Sequence, residues 1–357
     1  MLAQDPETRS ACEVACTKNE VIIFGEVTTA ARVDYESAAR EVIAGIGYTA
    51  PDRGFDTENC HITVKLNEQS PDIAMGITRR GRAEELDSGA GDQGIMFGCA
   101  CRETDSLMPL PIELAHSLAK RLEQVRRTGE LSYLLPDGKT QVTVEYEEER
   151  PVRIASVIVS AQHREEVETS ILRSDVIAHI IMPALPKVLI DAKTQYFVNP
   201  TGRFVIGGPA GDSGLTGRKS AVDTYGGYAR HGGGALSGKD ASKVDRSGAY
   251  MARYMAKNVV AAGLARHCEV QLGYAIGLAE PVAVQVDTFG TGRVPSGVIK
   301  EALMRLTDLR PMAITRKFGL MKPIYSSVSC YGHFGNNAER MPWESTELSE
   351  SLKELLY

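Results

Sequence analysis

The sequence lacks any apolar run long enough to cross a membrane, which takes about 20 consecutive apolar residues. Its first residues, MLAQDPETR, also lack the charged start and apolar stretch of a secretory signal. Hydrophobic residues make up 43% of the chain and charged residues 24%, which is the balance of an ordinary globular protein. We therefore expect a cytoplasmic protein that does not bind a membrane.

Cysteine is present, but not in a pattern that builds disulfides or zinc sites. The seven cysteines are an odd number scattered along the chain. Two close pairs occur, Cys12 with Cys16 and Cys99 with Cys101, and neither has C-x-x-C spacing. We expect buried free thiols in a reducing compartment.

An excess of positive charge is also missing. The net charge is −6 and the isoelectric point is about 5.8, which argues against a general nucleic-acid binder. No G-x-x-x-x-G-K-[ST] loop occurs, and no G-x-G-x-x-G follows a predicted strand. The lysines that cluster locally therefore suit a small anionic ligand.

What the chain does have is four glycine-rich segments that carry charge. HGGGALSGKDASK spans 231–243, GGPAGDSGLTGRK spans 207–219, GAGDQG spans 89–94, and Lys139 stands in PDGK. Glycine lets the backbone approach a ligand closely, and lysine supplies charge where an anion would lie. Each segment alone is a turn by default. Together they predict a polyphosphate pocket.

Hydrophobic periodicity predicts an α+β fold. Strands are predicted at 21–29, 61–66, 141–147, 152–160, 196–198, 268–277 and 282–288, and helices at 35–46, 111–129, 171–182, 246–262 and 296–309. We predict three similar sheet-plus-helix domains in a pseudo-threefold arrangement, at 1–86, 87–206 and 207–357. The segment 69–88 has no clear period and is predicted to be a mobile lid.

The motifs resemble those of one family. GAGDQG at 89–94 and GGGALSGKD at 232–240 are similar to the two signatures of S-adenosylmethionine synthetase, also called methionine adenosyltransferase. Leu236 stands where phenylalanine is commoner. The resemblance continues through ACE at 11–13, GEVTT at 25–29, QSPD at 69–72, NPTGRFVIGGP at 199–209, DTYGG at 223–227 and YGHFG at 331–335. It therefore covers essentially the whole chain.

This resemblance implies an activity, cofactors and partners. The family joins methionine to ATP, releases the triphosphate and hydrolyses it, with two Mg²⁺ per site and K⁺. It implies a homo-oligomer, a dimer of dimers (a homotetramer), in which two subunits pair through flat sheet faces and share the site. The segments 21–24 and 282–286 are apolar enough for such an interface.

The resemblance also implies roles for individual residues. Lys139, Arg218, Lys219 and Lys239 would grip the phosphates, with Arg218 assisting triphosphate hydrolysis, and Asp212 would touch both substrates. Further ATP contacts are Asp137, Arg203, Phe204 and Ala235, and further methionine contacts are Glu26, Gln69 and Lys243. Glu13 would bind K⁺, Asp245 would support Mg²⁺, and Ile276 would pack near the substrates. By default, an isolated lysine or aspartate is a solvated surface charge.

One expectation concerns the start of the chain. In the family a segment with GHPDK precedes the stretch that here is 5–13, and Met1 stands only a few residues ahead of that stretch. That segment carries a histidine that assists triphosphate departure and a Mg²⁺-binding aspartate. We therefore expect slow turnover. The alternatives are a catalytically silent subunit of the same fold and a plain ATP-binding phosphotransferase.

Overall fold

The computed structural model describes residues 1–50, 54–68 and 86–357. The strands are β1 (Arg9–Thr17), β2 (Glu20–Thr28), β3 (His61–Asn67), β4 (Gly94–Cys101), β5 (Leu134–Glu147), β6 (Arg150–His163), β7 (Gln195–Val198), β8 (Gly214–Leu215), β9 (His267–Tyr274) and β10 (Ala283–Asp287). The helices are α1 (Tyr35–Ile46), α2 (Leu110–Thr128), α3 (Thr169–Asp175), α4 (Met182–Ala184), α5 (Ser220–Asp223), α6 (Val244–Ala261), α7 (Ser296–Leu306), α8 (Pro311–Phe318) and α9 (Leu348–Leu356). Among the described residues, no helix is long and apolar enough to span a membrane.

The first sheet has the strand order β3-β2-β1-β8. β1 and β2 form an antiparallel hairpin, and β2 pairs in parallel with β3. Helix α1 has the bounds predicted from its spacing, and Asp34 caps it by accepting a hydrogen bond from the backbone N–H of Ser37 at 2.9 Å. Ile43 of α1 packs with Val21 and Ile23, so one face of this sheet is covered by the helix.

The second sheet joins β5, β6 and β7. Its apolar side is covered by α2, whose buried stripe includes Leu114, Leu118 and Val125. The predicted helix at 171–182 is less regular than expected, because α3 continues as a π-helical turn at Val176–Ile181 before α4. Ile180 and Ile181 of that turn are fully buried in the same core.

The third sheet has the order β10-β9-β4, with β9 in the middle. Helix α6 packs against β4 and β9, and nearly all of its residues are buried. Tyr250 on α6 stacks on Trp343 with ring centroids 3.7 Å apart, so the C-terminal segment closes over this helix. The hydrophobic cluster around α6 is the largest of the three in the described part of the chain.

The prediction of an α+β fold built from three sheet-plus-helix units is confirmed. Two of the sheets contain strands that are far apart in the sequence. β4 pairs with β9, although it precedes the whole second sheet, and β8 pairs with β1 across some 200 residues of chain. The predicted domain boundaries stay predictions.

Several elements differ from the sequence prediction. β1, β4, α8 and α9 were not predicted, and β1 and β4 show no clean alternation of buried and exposed residues. β5 starts at Leu134 rather than at 141, and it carries register shifts that break the alternation. Helix α7 ends at Leu306 rather than at 309, and β9 ends at Tyr274 rather than at 277. Most of the predicted lid, 69–85, lies outside the described residues.

Candidate active site

Two predicted site residues flank the same position of β1. Ala11 pairs with Glu26 of β2 on one side and forms an isolated antiparallel bridge with Lys239 on the other. Paired residues in neighbouring strands direct their side chains to the same face of a sheet. Glu26 and Lys239 therefore share one face, with backbones two strand spacings apart, about 9–10 Å.

Glu13 lies on that face as well, two residues beyond Ala11. The opposite face of β1 carries Cys12 and Val14, which pack toward the core under α1. We call the face with Ala11, Glu13 and Glu26 the open face of the first sheet. The side-chain alternation of β1 thus separates candidate site residues from core residues.

The segment 231–245, which we call the lysine loop, is tied to β1 by its backbone. Asp240 N–H donates to the carbonyl of Ser10 at 3.0 Å, and the N–H of Cys12 donates to the carbonyl of Gly238 at 3.0 Å. Gly238 has a φ of +82°, and a Cβ there would lie 2.0 Å from the carbonyl oxygen of Cys12. Glycine is required at this position by both the backbone angle and the close approach.

Asp240 anchors the loop from inside. Its carboxylate accepts from Lys243 Nζ at 2.7 Å and from the backbone N–H of Ser10 at 2.8 Å, and Arg9 lies at 3.3 Å. Burial alone would raise the pKa of Asp240, but the charge and hydrogen bond of Lys243 hold it below its ordinary value. Lys243, a predicted methionine contact, is thus itself buried and ion-paired.

Lys239 and Asp245 form the second ion pair of the loop. Lys239 Nζ lies 2.6 Å from Asp245 Oδ2, and both side chains are largely buried. A Cβ on Gly234 would lie 2.1 Å from Asp245 Oδ1, so the glycine leaves room for this carboxylate. The pair brings a predicted phosphate ligand and a predicted metal ligand into direct contact.

The two glycine-rich signature motifs meet in space. The N–H of Gly91 donates to the carbonyl of Ser242 at 3.1 Å, which joins GAGDQG to the lysine loop. Ala90 forms a parallel bridge with Ile276, so this predicted substrate-side residue lies at the same junction. The structure therefore brings together residues that are about 150 positions apart in the sequence.

The segment 207–219 connects the first and second sheets. At one end, the N–H of Gly208 donates to Asp137 Oδ2 at 2.8 Å. Near its other end, the Thr216 hydroxyl accepts from the N–H of Val14 at 2.9 Å, and a Cβ on Gly217 would meet the Cβ of Ala235 at 2.2 Å. Asp137 and Ala235, both predicted ATP contacts, thus lie at opposite ends of one segment.

Phe204 and Arg203 lie at the Asp137 end. The N–H of Phe204 donates to His163 Nε2 at 3.2 Å, and the Phe204 carbonyl accepts from the N–H of His163 at 3.0 Å. Arg203 is exposed and pairs with Glu165 at 2.5 Å. Within the described residues, no hydrogen bond or ion pair joins this end to the lysine loop directly.

The remaining predicted phosphate ligands are exposed. Four side chains face solvent: Lys139 on β5, and Asp212, Arg218 and Lys219 on the connecting segment. In the described ranges, none of these four side chains makes a hydrogen bond or ion pair, so their charges are available to a ligand. Gln69, the remaining methionine candidate, lies outside the described residues.

The predicted cation ligands differ in their surroundings. Glu13 Oε2 is buried, and no described residue hydrogen-bonds to it; burial raises the pKa of Glu13, and the charge of Lys239 opposes that rise. A buried carboxylate oxygen without a partner fits a monovalent cation as ligand. Asp245 is a single carboxylate, which fits Mg²⁺ because Mg²⁺ commonly takes one or two carboxylates plus substrate phosphates. No group of three His, Cys, Asp or Glu suited to a metal occurs in the described residues.

Some residues that shape the site were not identified from the sequence. Asp240 holds Lys243, Thr216 holds the connecting segment, and Gln162 accepts from the N–H of Asp137 at 3.1 Å. Asp240 follows Lys239 within the signature motif, so its position was a usable signal. Thr216 and Gln162 carry no such signal in the sequence alone.

Comparison with protein families gives matches along nearly the whole chain. The N-terminal domain of S-adenosylmethionine synthetase matches residues 1–71, the central domain matches 87–204, and the C-terminal domain matches 206–345. Members of this family are transferases that make S-adenosylmethionine from methionine and ATP, with Mg²⁺ and K⁺. The chain belongs to the S-adenosylmethionine synthetase family.

Proposed function

We propose that this chain is a methionine adenosyltransferase that also hydrolyses the triphosphate it releases. The methionine sulfur donates a lone pair to the ribose 5′ carbon, the bond from that carbon to the 5′ oxygen breaks, and triphosphate leaves with the electron pair. Water then cleaves the triphosphate into diphosphate and phosphate. The products are S-adenosylmethionine, diphosphate and phosphate.

The observation that carries this proposal is the placement of Glu26 and Lys239 on either side of Ala11. A carboxylate can hold the ammonium group of methionine, and a lysine can hold a phosphate oxygen. A separation of about 9–10 Å leaves room for the reacting sulfur and carbon between the two ends. Holding both reactants in line lowers the entropic part of the barrier.

The phosphate end is proposed to consist of Lys239, Arg218, Lys219 and Lys139. Negative charge builds up on the triphosphate as it leaves, so fixed cations stabilise the transition state more than the ground state. Arg218 is proposed to assist hydrolysis, since a guanidinium binds two phosphate oxygens at once. Its exposed side chain lies on a segment fixed at both of its ends.

The nucleoside and methionine ends are proposed to draw on the remaining predicted contacts. Phe204, Asp137, Arg203 and Ala235 would hold the nucleotide, and Asp212, Gln69 and Lys243 would complete the methionine end with Glu26. Lys243 would act partly through its pair with Asp240, because that pair fixes the loop that carries Lys239.

The metal ions would be held by few protein groups. When bound, Mg²⁺ would neutralise phosphate charge and K⁺ would order the nearby loop. Asp245 is the proposed support for Mg²⁺, and the unpartnered Oε2 of Glu13 is the proposed ligand for K⁺.

We also propose that a second copy of the chain covers the open face. Leu215 at the edge of the first sheet, and Ile276 and Val282 beside the third, are exposed apolar residues. A homotetramer built as a dimer of dimers would bury them and would bring Lys139 of one copy toward the lysine loop of another. Sedimentation equilibrium tests this: a monomer at micromolar concentration would refute the assembly.

We propose a cytoplasmic location because the seven cysteines are free thiols, which a reducing compartment maintains.

The test of the proposed function uses two glutamates of β2. Glu26→Gln should raise the KM for methionine at least about tenfold, because a charged hydrogen bond is lost, and should leave the KM for ATP within about twofold. Glu20→Gln is the matched control, since Glu20 lies at the far end of the same strand and is exposed. Equal behaviour of the two variants would contradict the proposed methionine end.

A further inference from the structure

The end of β6 holds the segment 199–208, which carries two of the predicted nucleotide contacts. β7 stops immediately before this segment, and Asn199 continues the pairing with its side chain. Its Oδ1 accepts from the N–H of Ala161 at 2.8 Å, and its Nδ2 donates to the carbonyl of Ala161 at 2.9 Å. A side-chain amide offers the same donor and acceptor as a peptide group. The segment therefore leaves the sheet from a fixed point.

His163, the last residue of β6, holds both backbone polar groups of Phe204. The N–H of His163 donates to the carbonyl of Phe204 at 3.0 Å, and the N–H of Phe204 donates to His163 Nε2 at 3.2 Å. On the other side of the ring, Nδ1 lies 2.8 Å from the carbonyl of Arg164, which can only accept. Nδ1 therefore carries the proton, and Nε2 is left as the acceptor that Phe204 requires.

Gln162 holds the stretches of chain on either side of β6. The register of β5 against β6 is interrupted between Leu134 and Gly138, and there the N–H of Asp137 donates to Gln162 Oε1 at 3.1 Å. Gln162 Nε2 donates to the carbonyl of Val205 at 2.9 Å. A buried N–H or carbonyl without a partner is costly, so this one amide stabilises both stretches.

Gly207 shows how closely the segment packs against Gln162. A Cβ at Gly207 would lie 2.7 Å from Cδ of Gln162 and 3.0 Å from Cε2 of Phe204. Any other residue would therefore displace the amide or the ring. The next residue, Gly208, donates its N–H to Asp137 Oδ2 at 2.8 Å, so the segment is fixed beyond Phe204 as well as before it.

Gln162 and His163 therefore direct their polar atoms toward the two proposed ATP contacts, Phe204 and Asp137. Each of the two is only 2% exposed, so neither side chain is placed to touch a substrate. A binding group holds its ligand well only where the residues around it fix its position. A misplacement of about 1 Å can cost as much as 10²-fold in rate.

We propose that Gln162 and His163 are positioning residues for the nucleotide, which fix Phe204 and Asp137 where the nucleoside binds. This inference rests on the proposed function, because that function makes Phe204 and Asp137 ATP contacts. The two residues act on the nucleoside end alone. The affinity for a triphosphate without a nucleoside does not depend on them.

The test is calorimetric titration of the full chain, with Mg²⁺ present, by adenylyl imidodiphosphate (a non-hydrolysable ATP analogue) and by inorganic tripolyphosphate. Asparagine at position 163 can replace Nδ1 but does not reach the position of Nε2, whereas glutamine places an oxygen there. His163→Asn should bind the analogue at least about tenfold more weakly, and His163→Gln should stay within about threefold of the wild-type chain. Both variants should bind tripolyphosphate within about twofold of the wild-type chain.

The control is His179→Asn, which changes a histidine of the same unit that contacts Glu130 and should leave both affinities unchanged. The titration requires no turnover. A wild-type chain that binds the analogue but forms no S-adenosylmethionine would refute the proposed function, while the comparison of variants still decides this inference.

A second variant covers the case in which His163→Asn does not fold, as judged by circular dichroism. Gln162→Met keeps an unbranched side chain of similar length but loses both hydrogen bonds. It should bind the analogue at least about fivefold more weakly, with tripolyphosphate binding unchanged. Equal binding of the analogue by the two His163 variants, undiminished binding by Gln162→Met, an equal loss for tripolyphosphate, or no binding of the analogue to the wild-type chain would overturn the proposal.

Discussion

Lys239 and Asp245 are paired at 2.6 Å in the lysine loop, next to β1 on the open face of the first sheet. The pair keeps a cation in a fixed position while its charge is balanced. In the proposed reaction, an incoming phosphate would compete with Asp245 for the ammonium group, and Asp245 would be the carboxylate that supports Mg²⁺. A substrate that carries both phosphate and metal can therefore satisfy the two side chains at once.

Replacing Lys239 should slow the reaction strongly. Lys239→Met keeps the length of the side chain but removes the cation that we propose holds the leaving triphosphate. We expect kcat to fall about 10²-fold to 10³-fold, the usual effect of losing one donor to developing charge. Steady-state formation of S-adenosylmethionine measures this. Lys353→Met, on the exposed face of α9, is the control, and a Lys239 variant within twofold of that control would contradict the assigned role.

Gly234 is predicted to tolerate no side chain. A Cβ at Gly234 would fall 2.1 Å from Asp245 Oδ1, so Gly234→Ala must displace the Asp245 carboxylate. We expect a loss of activity of about tenfold or more with little change in melting temperature, because the loop shifts while the core is untouched. Gly297→Ala is the control, since nothing lies within 4 Å of a Cβ at that position. A fully active Gly234→Ala variant would refute the placement of Asp245.

The buried ion pair of Arg253 and Glu344 is predicted to dominate the stability of the third unit. Both side chains are 0% exposed, and Arg253 Nη2 lies 2.8 Å from Glu344 Oε2. Lys257 Nζ lies 2.6 Å from the same oxygen. Glu344→Gln leaves buried positive charge uncompensated and should cost about 3–5 kcal/mol of unfolding free energy. Denaturant unfolding measures this, with the exposed pair variant Glu350→Gln expected to cost under about 1 kcal/mol.

Glu344 also gives that stability a pH dependence. Burial alone would raise the pKa of Glu344, but the charges of Arg253 and Lys257 outweigh burial and hold it below the ordinary value of 4.5. The stabilisation is therefore complete above pH 4.5 and is lost as the pH falls further. The Glu344→Gln variant should lack this part of the acid transition. If the variant and the wild-type chain differ in unfolding free energy by the same amount at pH 7 and at pH 3, the Glu344 carboxylate is not the titrating group.

His333 should destabilise the fold on mild acidification. Its Nδ1 lies 2.8 Å from the Tyr250 hydroxyl and its Nε2 lies 3.3 Å from the Ser237 hydroxyl, and the side chain is buried. Burial, with the nearby charge of Arg246, lowers the pKa of His333 from 6.5 to about 3. Between these values the unfolded chain binds the proton and the folded chain does not, so stability falls as the pH drops, by up to about 1.4 kcal/mol per pH unit.

The measurement compares His333→Gln with the wild-type chain between pH 6.5 and pH 4. The wild-type chain should lose unfolding free energy more steeply across this window. His116, whose pKa burial lowers to about 4, and Asp223, whose pKa burial raises to about 6, titrate in both proteins, so the difference isolates His333. Parallel curves would mean that His333 is already protonated in the folded protein.

Regular elements with one apolar face could be predicted from the sequence. Helix α1 has both an N-cap, Asp34, and a terminating glycine, Gly47, and its bounds match the prediction exactly at Tyr35 and Ile46. β1 and β4 could not be predicted, because both of their faces are partly covered and their residues do not alternate. The pairing of strands that are distant in sequence could not be predicted either, because a pair such as Cys16 and Gly214 leaves no local sequence pattern.

The candidate site could be predicted through motifs but not through geometry. The sequence indicated Lys239, Lys243 and Asp245 as charged neighbours, but not which partner each one takes. Pairing of Lys243 with Asp240 rather than with Asp245 depends on how Ser10 and Arg9 of β1 meet the loop. The roles assigned to these residues stay predictions until they are measured.

In the proposed reaction, methionine and ATP react at the open face while Lys239 holds the leaving triphosphate. Its most direct test is an assay of the 357-residue chain with methionine, ATP, Mg²⁺ and K⁺ that measures S-adenosylmethionine, diphosphate and phosphate together. We predict that the three products form in equal amounts, even if slowly, and that Lys239→Met suppresses all three. A folded chain that forms no S-adenosylmethionine, or whose Lys239→Met variant forms it as fast, would contradict the account.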